Sequence, residues 1–576
     1  MPLTPGVRFL ALKLFAPCVF VLAILTLTTN PTISHSYPLL WAAPFAAMGT
    51  ILAHLTYGRA GRSRAVRKAG ARQIPRAPSR WLGGLDLLRK ILHSYEQGFL
   101  GEAFSDLVDS MGPVFNIRLL WQDKIFTVYP EHLQIILATD FKNYIKGTDF
   151  CFGMNSVLGN GVFNSDGKMW SFHRSMTRPF FSRDRVQDMD IFERHTERTI
   201  GLIKTRMAEG HAIDFQDLIS RLTMDAATEF LFGSCVDSLS CSLAYPHNVF
   251  SPSTQPTQSA DDFTAAYNQA MLQIAFRQRV GWVWPLFEIL GDKTVKPMKV
   301  VDRFIDPLIE AALAKKARGG HLSASLLDEL IRSTTDPKLL KDEILNVLIA
   351  GRDTTMSVLS NVIYLLSTSP DVIARLREEI ATFVGPSGRP SFDNIRQMKY
   401  LRAVINETMR LFPPVPFNIR QAVNDSVWPS PDPTQKPLHI AAGTKIVYSV
   451  MVMQRRPELW GPTAHLFDPD RFLDERAKQY ISHPFRFLPF NAGPRICLGQ
   501  QFAYNEMSFV LIRLLQTFSS IALDADAFPP SARVPSDWSG QPGRKGIEQV
   551  VPRAHLTMYT SGGLWVRMSQ EPCTSS

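Results

Sequence analysis

Cysteine is scarce. The chain has six in 576 residues, widely scattered and with no CxxC pair, which excludes a disulfide framework and a zinc-ribbon spacing. Acidic residues are absent from the first 80 positions, where ten Lys and Arg stand alone. Setting those ten aside leaves 52 basic against 52 acidic side chains, so the net charge of +10 belongs to the amino-terminal segment and the body is neutral. A nucleic-acid-binding body needs a basic excess of its own, which argues against a nucleic-acid partner. Internal repeats are also lacking. What is present is apolar mass: 45% hydrophobic residues, with 37 Phe and 10 Trp. That is enough for a large core and excludes a disordered, collagenous or coiled-coil chain.

Two runs near the start are almost wholly apolar, Leu14–Thr29 and Tyr37–Tyr57. The second covers 21 positions, about the ~30 Å of a hydrocarbon core at ~1.5 Å per residue. Arg8 and Lys13 precede the first run, Asn30–Ser36 carries no Lys or Arg, and eight basic residues follow the second. Positive flanks stay cytoplasmic, so residues 1–58 are expected to form a membrane anchor of one or two transmembrane helices. A cleaved signal peptide is the competing reading of the first run. Residues 59–80 read as a basic linker stiffened by Pro75 and Pro78, and 81–576 as the body, facing the cytoplasm.

Along the body, Gly112–Leu119 and Lys124–Tyr129 read as a hairpin around a short polar turn, with a helix opening at Pro130. From about Val186 the pattern is mostly helical. Asp237–Phe263, rich in Ser, Pro, Thr and Asn, reads as a surface loop. Long helices are expected over Leu339–Ser367, Tyr400–Phe412 and Gln500–Phe518. The fold class is mainly α with small β-sheets, in one large domain.

The sharpest stretch is Phe490-Asn-Ala-Gly493-Pro-Arg495-Ile-Cys497-Leu-Gly499. It presents one Cys at the start of an apolar helix, where backbone N–H groups and the helix dipole favour a thiolate. Gly493 and Gly499 permit tight curvature, Phe490 can cover the sulfur, and Arg495 offers a partner for a carboxylate. Such a thiolate suits an axial ligand of haem iron. The stretch resembles the haem-thiolate signature of the cytochrome P-450 family, F-x-x-G-x-R-x-C-x-G, with its five fixed residues present. The resemblance implies that Cys497 ligates haem b and that Arg495 meets a propionate.

Other motifs follow the same family's order. Glu407-Thr-Met-Arg410 matches its E-x-x-R, and Pro469-Asp-Arg471-Phe472 its P-x-R-F, implying a buried structural triad of Glu407, Arg410 and Arg471. Ala350-Gly351-Arg352-Asp353-Thr354-Thr355 interrupts the long apolar helix and resembles the stretch that crosses the distal face of the haem. There Thr354 is implied to bond iron-bound oxygen and Asp353 to relay protons. Trp170-Ser-Phe-His-Arg174 places an indole and a guanidinium on one helix face, and the resemblance makes Trp170, Arg174 and Arg420 propionate partners. The AGRDTT variant and the stretch around Trp170 are similar to the alkane and fatty-acid hydroxylase branch.

The resemblance implies a monooxygenase that inserts one atom of O2 into a hydrophobic substrate: a fatty acid, terpenoid, steroid or aromatic hydrocarbon. A pocket of Phe150, Phe152, Ala350, Val415, Phe417 and Leu564 is implied with it. No flavin or nicotinamide fingerprint follows Cys497, so electrons from NADPH must come through a separate NADPH–cytochrome P-450 reductase, with cytochrome b5 a possible second donor, at the endoplasmic reticulum membrane. The rival readings are a haem protein that binds ligand without turnover and a P-450 that isomerises peroxides. Both predict loss of the Asp353–Thr354 pair, which is intact.

Overall fold

The computed structural model describes residues 4–15, 63–181, 189–249, 259–319 and 325–570. The apolar runs expected to span a membrane lie outside these residues, save for Leu14 and Phe15. Among the described residues no helix is long and apolar enough to cross a membrane.

Helices dominate and small sheets flank them. Those that build the site are α1 (Thr148–Leu158), α2 (Gly167–Thr177), α3 (Phe215–Phe232), α4 (Ser259–Val280), α5 (Pro337–Ser367), α6 (Lys399–Leu411) and α7 (Gln500–Thr517). The largest sheet joins β1 (Val114–Leu119), β2 (Gln122–Thr127), β3 (Tyr144–Ile145), β4 (Phe417–Ala422) and β5 (Lys445–Ser449) in the order β1-β2-β5-β4-β3. A separate hairpin pairs β6 (Pro552–Ala554) with β7 (Met558–Thr560).

α5 is 31 residues long. Asp336 caps it by accepting the N–H groups of Lys338 and Leu339, and Pro337 opens its first turn. Residues 355–366 are all buried. A helix buried on every side belongs at the centre of a bundle; α3 and α7 pack against it, and Asp190–Ala208 closes the group against those two.

The β1–β2 hairpin departs from the sequence expectation. Gln122 and Asp123 lie within β2, and the chain reverses instead at Leu120 and Trp121, with φ of 49° and 62°. Two positive φ values match the twist of the flanking strands, and here two non-glycine residues carry that strain. Leu120 N–H donates to the Gly83 carbonyl (2.6 Å), and a β-carbon on Gly83 would stand 3.1 Å from the Trp121 ring.

Part of the stretch expected as a linker is fastened to the body. Arg72 N–H donates to Pro437 O (2.8 Å), Asn116 N–H to Pro75 O (2.8 Å) and Ala77 N–H to Asn116 O (2.9 Å). Further back, the short helix Pro5–Leu10 lies on the segment Gly281–Ile289. A β-carbon on Gly6 would stand 2.5 Å from Ile289 Cα, and Thr4 Oγ1 donates to Ile289 O (2.5 Å).

α6 brings the fully buried Glu407 and Arg410 together, Nε to Oε2 at 2.7 Å, and Arg471 Nε reaches Glu407 Oε1 at 3.4 Å. The arginines spend their other donors on carbonyls: Arg410 on Gln454, Ala464 and Leu466, Arg471 on Trp460 and Thr463. Gln454 Oε1 in turn accepts the N–H of Leu488, two residues before Phe490. Replacing Glu407 with Ala leaves two buried guanidinium groups without their counter-charge, a loss of ~3–5 kcal/mol. The expected outcome is haem-poor protein with a lowered unfolding midpoint, measured by thermal melting and by haem absorbance per mole of chain.

Candidate active site

A cavity of about 510 Å³ is enclosed by α1, α2, α4, α5, α7, the large sheet and the turn between β6 and β7. Its wall is mostly aliphatic and aromatic, including Phe150, Ala350, Val415 and Phe417. Such a composition suits an apolar guest oriented by a few polar groups. Phe490, Arg495, Cys497 and Gly499 form one side of it.

The cysteine loop is held by a close backbone approach. Gly493 has φ of +67°, and a β-carbon there would stand 1.7 Å from the Leu137 carbonyl oxygen, so both conformation and space demand glycine. Gly499 has φ of −85°, which any residue adopts, and a β-carbon there would stand 3.5 Å from the Phe181 ring, an ordinary contact. Cys497 N–H donates to Phe490 O (3.1 Å), which folds the loop back on itself, and the Phe490 ring packs 5.1 Å from Tyr504. Burial pushes the Cys497 thiol above its usual range, against the Gly499 N–H and the Arg174 charge, which pull it down. A bound metal ion supplies the charge that deprotonates such a thiol.

Four cations gather at the cavity edge: Lys146, Arg174, Arg420 and Arg495. Arg495 donates to Asp166 Oδ1 (2.8 Å) and Ser165 O (2.9 Å), and its guanidinium lies 4.8 Å from the centre of the Trp170 ring. Burial and the Arg420 charge lower its pKa to about 10. The same causes, with Arg495, drive Lys146 well below its ordinary range. Among the described residues the Nε atoms of Arg420 and Arg495 are buried without a hydrogen-bond partner, and Asp166 is the carboxylate that pairs with this group. A cluster so short of negative charge fits a dianionic guest. Haem b, with two propionates and an iron for the cysteine, is such a guest, and the residues present fit it.

Ala350, Gly351, Thr354 and Thr355 line the cavity from α5. Thr354 Oγ1 donates to the Ala350 carbonyl one turn back (2.6 Å). Asp353 does not line the cavity. It is buried on the other side of α5, bonded to Arg352 (2.8 Å), which also reaches Asn268 and Ser220.

Two expected pocket residues are elsewhere. Phe152 is 51% exposed and packs on Trp284 at 5.2 Å, because it falls on the outer face of α1 while Phe150 faces in. Leu564 is fully buried in the core, its N–H bonded to Asp214 and its carbonyl to Phe215. The hairpin turn at His555, Leu556 and Thr557 reaches the cavity instead.

Sequence reasoning also missed Lys146, which sits in no motif, and Glu506 on α7. Burial raises the Glu506 carboxyl to about 8 in spite of a hydrogen bond from Thr355. A carboxyl that keeps its proton at neutral pH thus backs a threonine of the cavity wall.

The family profile described as cytochrome P450 matches residues 82–537. Cytochrome P450 52A4 of Candida maltosa is 35% identical over 431 residues, covering 72% of this chain and 77% of that protein. Cytochrome P450 52-M1 of Starmerella bombicola is 37% identical, covering 74% and 80%. Cytochrome P450 monooxygenase himC of Aspergillus japonicus is 33% identical, covering 84% and 81%.

Gly493→Ala must displace the Leu137 segment as well as strain φ, whereas Gly443, at φ +77° with nothing within 4 Å of its β-carbon position, bears the φ strain alone. Gly443→Ala is expected to cost ~1–2 kcal/mol and keep its haem. Gly493→Ala is expected to lose more stability and most of its haem. Denaturant melts and haem absorbance distinguish the two.

Proposed function

The chain belongs to the cytochrome P450 family and is a haem-thiolate monooxygenase, and from that premise we propose a role for each residue around the cavity. Cys497 would hold the haem iron through its sulfur. Arg420, Arg495, Trp170, Arg174 and Lys146 would hold the two propionates, whose charge the cation cluster lacks. Phe490 shields the sulfur from water. Thiolate-bound haem, when present, supplies oxygen activation and delivery of one oxygen atom to the substrate.

The protein's own contribution is then positioning, water exclusion and proton supply. Thr354 is the hydroxyl that opens into the cavity; to act there it must give up its bond to Ala350 O. Asp353 acts from behind, through the polar group around Arg352, rather than as a cavity-lining acid. Glu506 holds its proton below about pH 8 and stands behind Thr355 as a second store. The apolar lining takes a hydrophobic substrate and keeps bulk water from the reacting centre.

Electrons come from a separate reductase, which we take to be the NADPH–cytochrome P-450 reductase, with cytochrome b5 as a second donor. We place the enzyme at the endoplasmic reticulum membrane with its body in the cytoplasm. An apolar surface supports this. Trp81, Leu82, Trp121, Phe287 and Leu290 are 51–100% exposed, and the hairpin turn, Gly83 and the Gly281–Ile289 segment adjoin one another. Patches of this kind mark contacts with lipid or protein.

The observation that carries the reading is one thiol opening into an apolar cavity edged by cations without enough anions. Reduced protein under carbon monoxide is expected to show the family's red-shifted absorption, and Cys497→Ser to abolish it. Thr354→Ala is expected to keep that absorption and lose roughly 10²-fold or more in substrate oxidation while still consuming NADPH. Product formed per NADPH oxidised is the measurement, and unchanged coupling would remove Thr354 from its role.

A further inference from the structure

The turn between β6 and β7 brings His555 to the wall of the cavity that also holds Cys497. The hairpin that carries it is fastened on several sides. Arg279 of α4 donates to the Ala554 carbonyl, Met558 N–H to Pro414 O (3.0 Å) and Arg553 to Gly98 O (2.7 Å). Gln216 donates to Thr560 O (3.0 Å) and accepts the Thr560 N–H (2.7 Å). The Tyr559 ring stacks on the imidazole at 5.3 Å, with the planes 21° apart. Ring and backbone are both held before any guest arrives.

The turn also fixes which nitrogen carries the proton. Leu556 N–H donates to His555 Nδ1 (2.8 Å), and Thr557 N–H reaches the same atom (3.3 Å). A nitrogen that accepts from an amide holds no proton, so the neutral ring carries its one hydrogen on Nε2. Burial holds the imidazole below its ordinary range; Asp353 opposes this, and the Arg352 and Arg279 charges add to it. At neutral pH the ring is therefore uncharged, with Nε2 its only free donor.

Among the described residues that donor has no hydrogen-bond or ion-pair partner, since every polar contact of the ring is at Nδ1. The charged groups nearby are engaged elsewhere, Arg279 at the Ala554 carbonyl and Arg352 with Asp353 (2.8 Å). Pro414 and Leu556, which adjoin the turn in the cavity wall, are apolar.

A donor left unpaired in such surroundings is costly, and a site built around one favours the guest that completes it. Resting on the monooxygenase reading, we propose that His555 is a specificity-determining residue whose Nε2–H donates to an uncharged carbonyl or hydroxyl oxygen of the substrate. The substrate is then an oxygen-bearing lipophile, held at the hairpin turn by that oxygen and oxidised at a carbon set by its distance from it. A plain hydrocarbon satisfies the lining but leaves the donor unpaired.

Equilibrium dialysis of the haem-loaded enzyme against decane and the straight-chain decanones tests this, because the ketones move one carbonyl along a fixed carbon chain. One carbonyl position is expected to bind about tenfold more tightly than the others. That preference vanishes in His555→Phe, which keeps a ring to stack on Tyr559 but has no donor, while decane binds as before. It is kept in His555→Gln, whose amide N–H replaces the imidazole's. A flat ketone series in the unaltered enzyme, a preference that survives in His555→Phe, or equal weakening of decane and ketones in that variant overturns the proposal. The carbon monoxide absorption is read on the same samples. Its absence from the unaltered enzyme sinks the haem-thiolate reading, whereas a normal band beside a flat series sinks this proposal alone.

Discussion

Glu407 has no exposed surface, and its carboxylate is the negative charge that makes two buried arginines tolerable. Each guanidinium turns its remaining donors to backbone carbonyls between residues 454 and 466. That stretch has little regular structure of its own, so the arginines stand in for the missing backbone ladder. Through Gln454 the same group fixes Leu488 and hence the start of the cysteine loop. The loop's other support is the contact of Gly493 with Leu137 O. The site thus depends on one ionic cluster below and one backbone contact beside it, and neither touches a ligand.

This division explains what was legible in the sequence. Cys497, Arg495 and Gly493 could be read because their chemistry fixes both residue type and spacing within ten positions. α5, α6 and α7 could be read because their apolar spacing runs for several turns and Pro or capping residues mark their ends; the observed bounds differ from the expected ones by a residue or two. Glu407 and Arg410 were legible only as a pair, since i, i+3 spacing is equally that of a surface salt bridge; their burial comes from packing around α6.

The less legible residues come from turns and single side chains. Lys146, His555 and Glu506 sit in no motif, and each matters because tertiary structure removes water or counter-charge around it. Leu564 and Phe152 were expected in the pocket from the family resemblance, yet one helical face or one hairpin turn separates lining from core. The Leu120–Trp121 reversal was hidden for a related reason: apolar residues with left-handed φ run against turn propensity, and Gly83 and the adjoining segment hold them there.

The Gly281–Ile289 segment covers the cavity wall that contains Lys124. Trp282 Nε1 bonds it to Leu120 O at 3.1 Å on one side, and Thr4 bonds it to the outset of the chain on the other. Any widening of that wall must break or drag both fastenings. The position of the Pro5–Leu10 helix is therefore mechanically linked to one wall of the cavity, by fastenings that do not run through the cysteine loop.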